Sequence, residues 1–118
     1  MSQFSGQPGT NRPTWQIEHT HPEAVERLKA AFAEVIDPEI GLNIDQLGLI
    51  RDVIIEDNNL MIKMILTTPF CPYGPSMIET TRLKAEEALK MDTNIDLGME
   101  MWDFSMMEEG LGADWGLY

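Results

Sequence analysis

The chain is predicted to fold as one small domain of the α/β (α+β) class, a mixed β-sheet with two helices on one face. Three observations lead there. Two stretches carry apolar residues at helical spacing, three are β-branched or alternate in polarity, and they follow one another in the order α-β-β-α-β. A short turn joins the first two strands, which makes them an antiparallel hairpin. A helix joins the second strand to the third, which makes that pair parallel with a right-handed crossover.

Residues 1–19 are rich in Ser, Gly, Gln, Pro and Asn and are expected to form a disordered tail, with the domain itself over residues 20–102. In the first helix, at about residues 21–35, Val25, Leu28, Phe32 and Val35 recur at helical spacing between Glu26, Lys29 and Glu34. Thr20 and Glu23 have capping-box spacing, and Pro22 is tolerated in a first turn. The helix stops at Asp37-Pro38, since a proline pushes the residue before it out of the α region. From Asp37 to Ile50 the chain is rich in turn residues, with Ile40, Leu42, Ile44, Leu47 and Leu49 as anchors to the core. There Asp37 either caps a turn or faces a ligand, and Glu39 is either solvated or its companion.

Val53-Ile54-Ile55 marks a strand from Leu49 to Glu56, Asp57-Asn58-Asn59 a turn, and Leu60 to Thr67 the second strand. Ser76 and Glu79 form another capping-box pattern, opening a helix to about Lys90. Its buried side is Met77, Ile78, Thr81, Ala85, Ala88 and Leu89. In the third strand Ile95, Leu97, Met99 and Met101 are expected to face the core, alternating with Asp96, Gly98, Glu100 and Trp102. Residues 103–118 are an acidic, aromatic extension. It is too apolar for a solvated linker and too glycine-rich for a helix, so it either folds back over the sheet or meets a partner.

Composition narrows the function. The net charge of −12 argues against nucleic acid and against anionic membrane surfaces, both of which need a basic stripe. No apolar run reaches the roughly 20 residues of a membrane span. The N-terminus lacks the charged and apolar regions of an export signal, and one cysteine forms no internal disulfide, so a reducing, cytoplasmic setting is expected. Lys90 is the last basic residue, and Asp92, Asp96, Glu100, Asp103, Glu108, Glu109 and Asp114 follow it. That skew serves either solubility or docking of a basic partner. His19 and His21, near Glu18 and Glu23, are either solvent-exposed or a metal site.

The loop from Leu66 to Ser76 holds the sole cysteine, Cys71, among three prolines and a glycine. A thiol just before a helix lies near unpaired backbone N–H groups, which favour the thiolate. The other reading is a small buried hydrophobe under a tight turn.

Asp37-Pro38-Glu39, Leu47-Gly48-Leu49 and Thr67-Thr68-Pro69-Phe70-Cys71-Pro72 together resemble the signature of the SufT/PaaD-like iron–sulfur cluster assembly domain family, over about Ala24 to Trp102. The resemblance implies the fold group of the NifU C-terminal domain. It also implies an auxiliary, non-enzymatic factor in iron–sulfur cluster assembly or transfer to apo-proteins. In that family's terms the acidic pair is Asp37 and Glu39, the threonines are Thr67 and Thr68, and the reactive cysteine is Cys71. The chain lacks the Cys-x-x-Cys of NifU-type scaffolds, so scaffold activity is not implied. Trp102-Asp103-Phe104-Ser105-Met106-Met107 is also shorter than the corresponding segment of relatives and lacks its prolines.

One thiol cannot house a [2Fe–2S] or [4Fe–4S] cluster, which takes four ligands, mostly thiolates. The expectation is therefore a transient iron or iron–sulfur cluster at Cys71, or a cluster shared across a homodimer, with nothing tightly bound. Asp37 and Glu39 would supply oxygen ligands or tune the thiolate, and Thr67 and Thr68 would hydrogen-bond in the same pocket. Partners would be iron–sulfur assembly proteins or apo-protein clients. The alternative is a non-catalytic interaction subunit that stabilises an oxygenase or a cluster-assembly complex. A thiol enzyme would need a base at Cys71, and His19 and His21 are the only histidines.

Overall fold

Leu60, Ile62 and Met64 are buried, whereas Asn59, Met61 and Lys63 between them are exposed. This alternation puts the strand's buried side chains on one covered face. The rest of the computed structural model, which describes residues 14–38, 40–67 and 72–107, is arranged around that strand. In chain order the elements are α1 (Ile17–Thr20), α2 (Pro22–Phe32), α3 (Ile44–Leu47), β1 (Ile50–Glu56), β2 (Asn59–Met64), α4 (Gly74–Leu89) and β3 (Asp92–Leu97), followed by a 3₁₀ turn at Phe104–Met106.

The sheet has the order β1-β2-β3. β1 and β2 pair antiparallel, and β2 and β3 pair parallel, as the connection lengths require. Val53, Ile62 and Ile95 stand side by side across the three strands. A bulge between Ile50 and Asp52 lets Ile50 and Val53, three residues apart, face the same side. Against that face lie Leu28 and Phe32 of α2 and Met77 and Ala85 of α4, in one continuous core. Each fully buried Leu, Ile or Phe stabilises the fold by about 1.5–3 kcal/mol relative to exposure, so this single interface supplies the main driving force. A salt bridge of 2.8 Å from Lys84 to Glu34 ties α4 to the end of α2.

Several expectations need correction. Residues 14–19, expected to belong to a disordered tail, pack onto the domain, where Trp15 and Ile17 are buried; residues 1–13 lie outside the described residues. The Trp15 ring meets Phe32 edge-on at 5.8 Å, and its Nε1–H donates to the carbonyl of Ile50 at 3.2 Å. Two large apolar residues in a polar segment thus form a clasp linking α2 to β1. Neither predicted capping box forms. α2 is preceded by His21 and α4 by Tyr73, both without a side-chain cap hydrogen bond, and α4 starts two residues before Ser76. The capping box that does form is Asn43 with Gln46 at α3, inside the segment expected to be only turns. β2 ends at Met64 rather than Thr67.

β3 also lies earlier than expected. It starts at Asp92, and its covered face fades from Thr93, 4% exposed, to Leu97, 49% exposed. Met99 and Met101, expected in the core, are 97% and 77% exposed. The reason is that the even-numbered residues are the ones held down. Gly98 N–H donates to the Met64 carbonyl at 2.8 Å, the Glu100 carboxylate pairs with Arg51 at 3.0 Å, and Trp102 Nε1–H donates to the Leu47 carbonyl at 2.7 Å. The methionines between these anchors are left pointing outward. Beyond them Met106 and Met107 are buried, so the first part of the C-terminal extension folds back onto the domain. Residues 108–118 lie outside the described residues.

Candidate functional site

Asp37 is 1% exposed, although it sits in a connecting loop. A buried carboxylate must be hydrogen-bonded, and its local partners come from the turn it begins. The carbonyl of Asp37 accepts from Gly41 N–H at 2.7 Å, its N–H donates to the Leu42 carbonyl at 2.9 Å, and Oδ1 accepts from Ile40 N–H at 3.3 Å. Gly41 closes the turn with φ of +85°. An antiparallel bridge between Ile36 and Asn43 completes the small loop. Asp37 therefore caps its own turn.

Turn capping is not its whole role. Oδ2 accepts from the Thr67 hydroxyl at 3.5 Å, across thirty residues of sequence. Thr67 follows β2 and is half-buried. It is carried to the α2 exit because Ile65 N–H donates to the Leu49 carbonyl at 2.9 Å, continuing the hairpin past the end of β2. Thus two of the predicted site residues, Asp37 and Thr67, are brought together. Glu39, Thr68 and Cys71 lie outside the described residues.

A groove of about 330 Å³ lies at the residues that flank Asp37 in sequence, without Asp37 or Thr67 in its lining. Ile36 and Pro38 line one wall, and Tyr73, Ser76, Met77 and Thr80 from the start of α4 line the other. Ile36 and Tyr73 are 48% and 42% exposed, an apolar pair that sequence periodicity did not single out. Tyr73 could have been suspected as an aromatic set between Pro72 and Gly74. Tyr73 makes no side-chain cap hydrogen bond, and no acidic residue occupies the first turn of α4. Among the described residues no three His, Cys, Asp or Glu side chains gather at a spacing suited to a metal ion. His19 is exposed, and His21 is half-buried with Nδ1 at 3.0 Å from the Thr20 hydroxyl.

The Leu47-Gly48-Leu49 element has a structural explanation. Gly48 ends α3 with φ of +77°, and a Cβ there would run into the main chain of Met106. The bare backbone therefore lets the returning C-terminal segment pack directly on the loop that leads into β1.

A covered mixed sheet, a buried acidic turn and a threonine loop meeting it across the sheet end define the setting in which comparison with known proteins is informative. The profile of the family described as iron–sulfur cluster assembly protein matches residues 25–96, more than half of the chain, and the chain belongs to that family. It is 40% identical over 93 residues to the Fe-S protein maturation auxiliary factor of Porphyromonas gingivalis, covering 76% of this chain and 85% of that one. It is 36% identical over 58 residues to the Fe-S protein maturation auxiliary factor YitW of Bacillus subtilis, covering 48% and 57%. To the Fe-S protein maturation auxiliary factor SufT of Staphylococcus aureus it is 35% identical over 65 residues, covering 53% and 74%. The fold is similar to the crystal structure of a domain of unknown function from Bacillus anthracis. That match has a TM-score of 0.73 at 23% identity and covers 85% of this chain and 98% of the other. A conserved hypothetical protein from Thermotoga maritima matches with a TM-score of 0.59 at 25% identity, covering 90% and 98%.

Proposed function

We infer that the protein is a non-catalytic auxiliary factor in iron–sulfur protein maturation, with Cys71 as a transient or shared thiolate for iron or a cluster in transit. The observation that carries this is the contact between Asp37 and Thr67, two of the residues that the family signature singles out. Cys71 follows Thr67 by four residues and precedes Tyr73 by two, so residues on both sides of it border the acidic turn. Membership of the family and the names of the relatives support the same reading. Asp37 and Glu39 are proposed as oxygen ligands or as charges that tune the thiolate, with Thr67 and Thr68 as hydrogen-bonding partners. A single cysteine suits hand-off rather than storage. Its partners are apo-protein clients or assembly proteins in a reducing compartment; no helix among the described residues is long and apolar enough to cross a membrane.

The test is anaerobic reactivation of an apo-[4Fe–4S] enzyme by iron and sulfide, with and without the protein. The wild-type chain is expected to accelerate reactivation, and Cys71→Ser is expected to abolish that gain while leaving the melting temperature unchanged. Full acceleration by Cys71→Ser would remove the thiol from the mechanism and leave an interaction subunit. Histidine assistance is tested with His19→Ala and His21→Ala rather than by deleting the first 21 residues, since that deletion would also remove Trp15 and Ile17 from the core.

A further inference from the structure

We propose that the outer edge of β3, together with Leu97, Met99 and Met101, is the docking surface for an extended segment of another protein in which basic and apolar residues alternate. The proposal concerns a surface that contains none of the residues assigned to the thiol site, so it stands or falls separately.

β3 is an edge strand: β2 pairs with one side of it, and no described strand pairs with the other. An edge of this kind presents a row of main-chain donors and acceptors to an added strand. The two faces along this edge differ in chemistry. On the open face of the sheet stand Asp92, Asn94 and Asp96, all exposed. Across the three strands the open face pairs Asp52 with Lys63 and Lys63 with Asp96, and Glu56 with Asn59 and Asn59 with Asp92. Four carboxylates thus stand along this face with one lysine, which is opposite Asp52 and Asp96. The covered face of the same edge runs from buried Thr93 through half-buried Ile95 to Leu97, 49% exposed. Just past the end of β3 come Met99 and Met101, 97% and 77% exposed, between the anchored residues Gly98, Glu100 and Trp102. Leu97, Met99 and Met101 are thus three exposed large apolar side chains at and just past the end of this edge, the kind of surface that suits an apolar partner.

An added strand would alternate its side chains between these two faces. One set would lie beside Asp92 and Asp96 and is suited to Lys or Arg. The other would lie beside Ile95, Leu97 and the methionines and is suited to aliphatic residues. A second copy of this chain brings the same carboxylates to the edge rather than basic residues, and antiparallel pairing of β3 with itself centred on Asn94 sets Asp92 against Asp96, like charges that destabilise that register.

The test is a titration of the full isotope-labelled chain with a short acetylated peptide alternating Lys and Val. The controls are its Glu and Val counterpart and a block arrangement of the same Lys and Val residues, all read from backbone amide and methionine methyl signals. The alternating Lys and Val peptide is expected to shift the amides of residues 92–98 and the methyls of Met99 and Met101. Reversing the edge charge with Asp92→Lys and Asp96→Lys should weaken it about tenfold. Met99→Asp, at a position too exposed to disturb folding, should weaken it several-fold, and Cys71→Ser should change nothing. Equal binding of the block or Glu peptide, shifts confined elsewhere, or indifference to the Asp92 and Asp96 reversals would overturn the proposal. So would a concentration-dependent dimer that protects the two methyl groups, or methyl signals that move when the chain is ended after Met107; these would assign the surface to a second copy or to the chain's own C-terminal residues.

Discussion

At the residue scale, Asp37 joins local order to the candidate site, because one carboxylate oxygen caps its own turn while the other meets Thr67. Replacing it by Ala leaves the Ile40 N–H and the Thr67 hydroxyl without that partner, at a cost of about 1–3 kcal/mol in urea unfolding. Asn keeps much of the shape and removes the charge. Asp37→Asn is therefore expected to lose less stability than Asp37→Ala yet still fail to accelerate client reactivation; full activity in Asp37→Asn would restrict Asp37 to turn capping. Gly48→Ala is expected to cost about 2–4 kcal/mol, from a left-handed backbone and a collision with Met106. Its loss should appear as a lower melting temperature and exposure of the Met106 segment to protease. Gly48 belonged to a motif visible in the sequence, but its reason was not, since Met106 lies nearly sixty residues later.

At the element scale, α4 is fastened at its end rather than its start. Lys90 closes it in the left-handed region at φ of 57°, where a side chain is strained and glycine is not. Lys90→Gly should therefore stabilise the protein by about 0.5–1 kcal/mol, read as a rise in the urea midpoint without a change in slope. On the exposed side of the helix Arg82 bridges Glu79 at 2.6 Å and Glu86 at 3.4 Å. The hydrogen bond from Arg82 holds the Glu79 carboxyl below the usual glutamate range. A carboxyl shifted in that direction adds its stability above the ordinary glutamate pKa and loses it as the pH falls through the lowered value. The exposure of this pair to water keeps the effect small. Helix existence was legible from periodicity, because Leu28, Phe32, Met77 and Ala85 repeat with the helical turn. The caps were not, because several Ser, Thr and Asn residues had the right spacing and only the backbone path selects between them.

At the scale of the whole molecule, the clasp formed by Trp15 holds α2 and β1 together from outside the matched family region. Trp15→Ala is expected to lower stability by about 3–5 kcal/mol, measured by thermal and urea unfolding. A drop of less than 1 kcal/mol would mean that the segment before α2 contributes little to the fold. The last described segment returns through Trp102 and Met106 to the loop before β1. Both chain ends described here therefore brace β1, the strand that carries no helix crossover of its own.

The order of the elements, the antiparallel and parallel pairings, and the family signature were determined by the sequence itself. They rest on local periodicity and on the length of each connection, which act over a few neighbouring residues. The meeting of Asp37 with Thr67, the burial of Trp15 and the outward turn of Met99 and Met101 were decided only by the tertiary structure. Each depends on groups thirty or more residues apart: a carboxylate and a hydroxyl across the sheet end, an indole over β1, and anchors at Met64, Arg51 and Leu47 that hold alternate residues down. Alternation along the chain showed that Met99 and Met101 share a side, but not which side would face water. That was decided by which residues found partners.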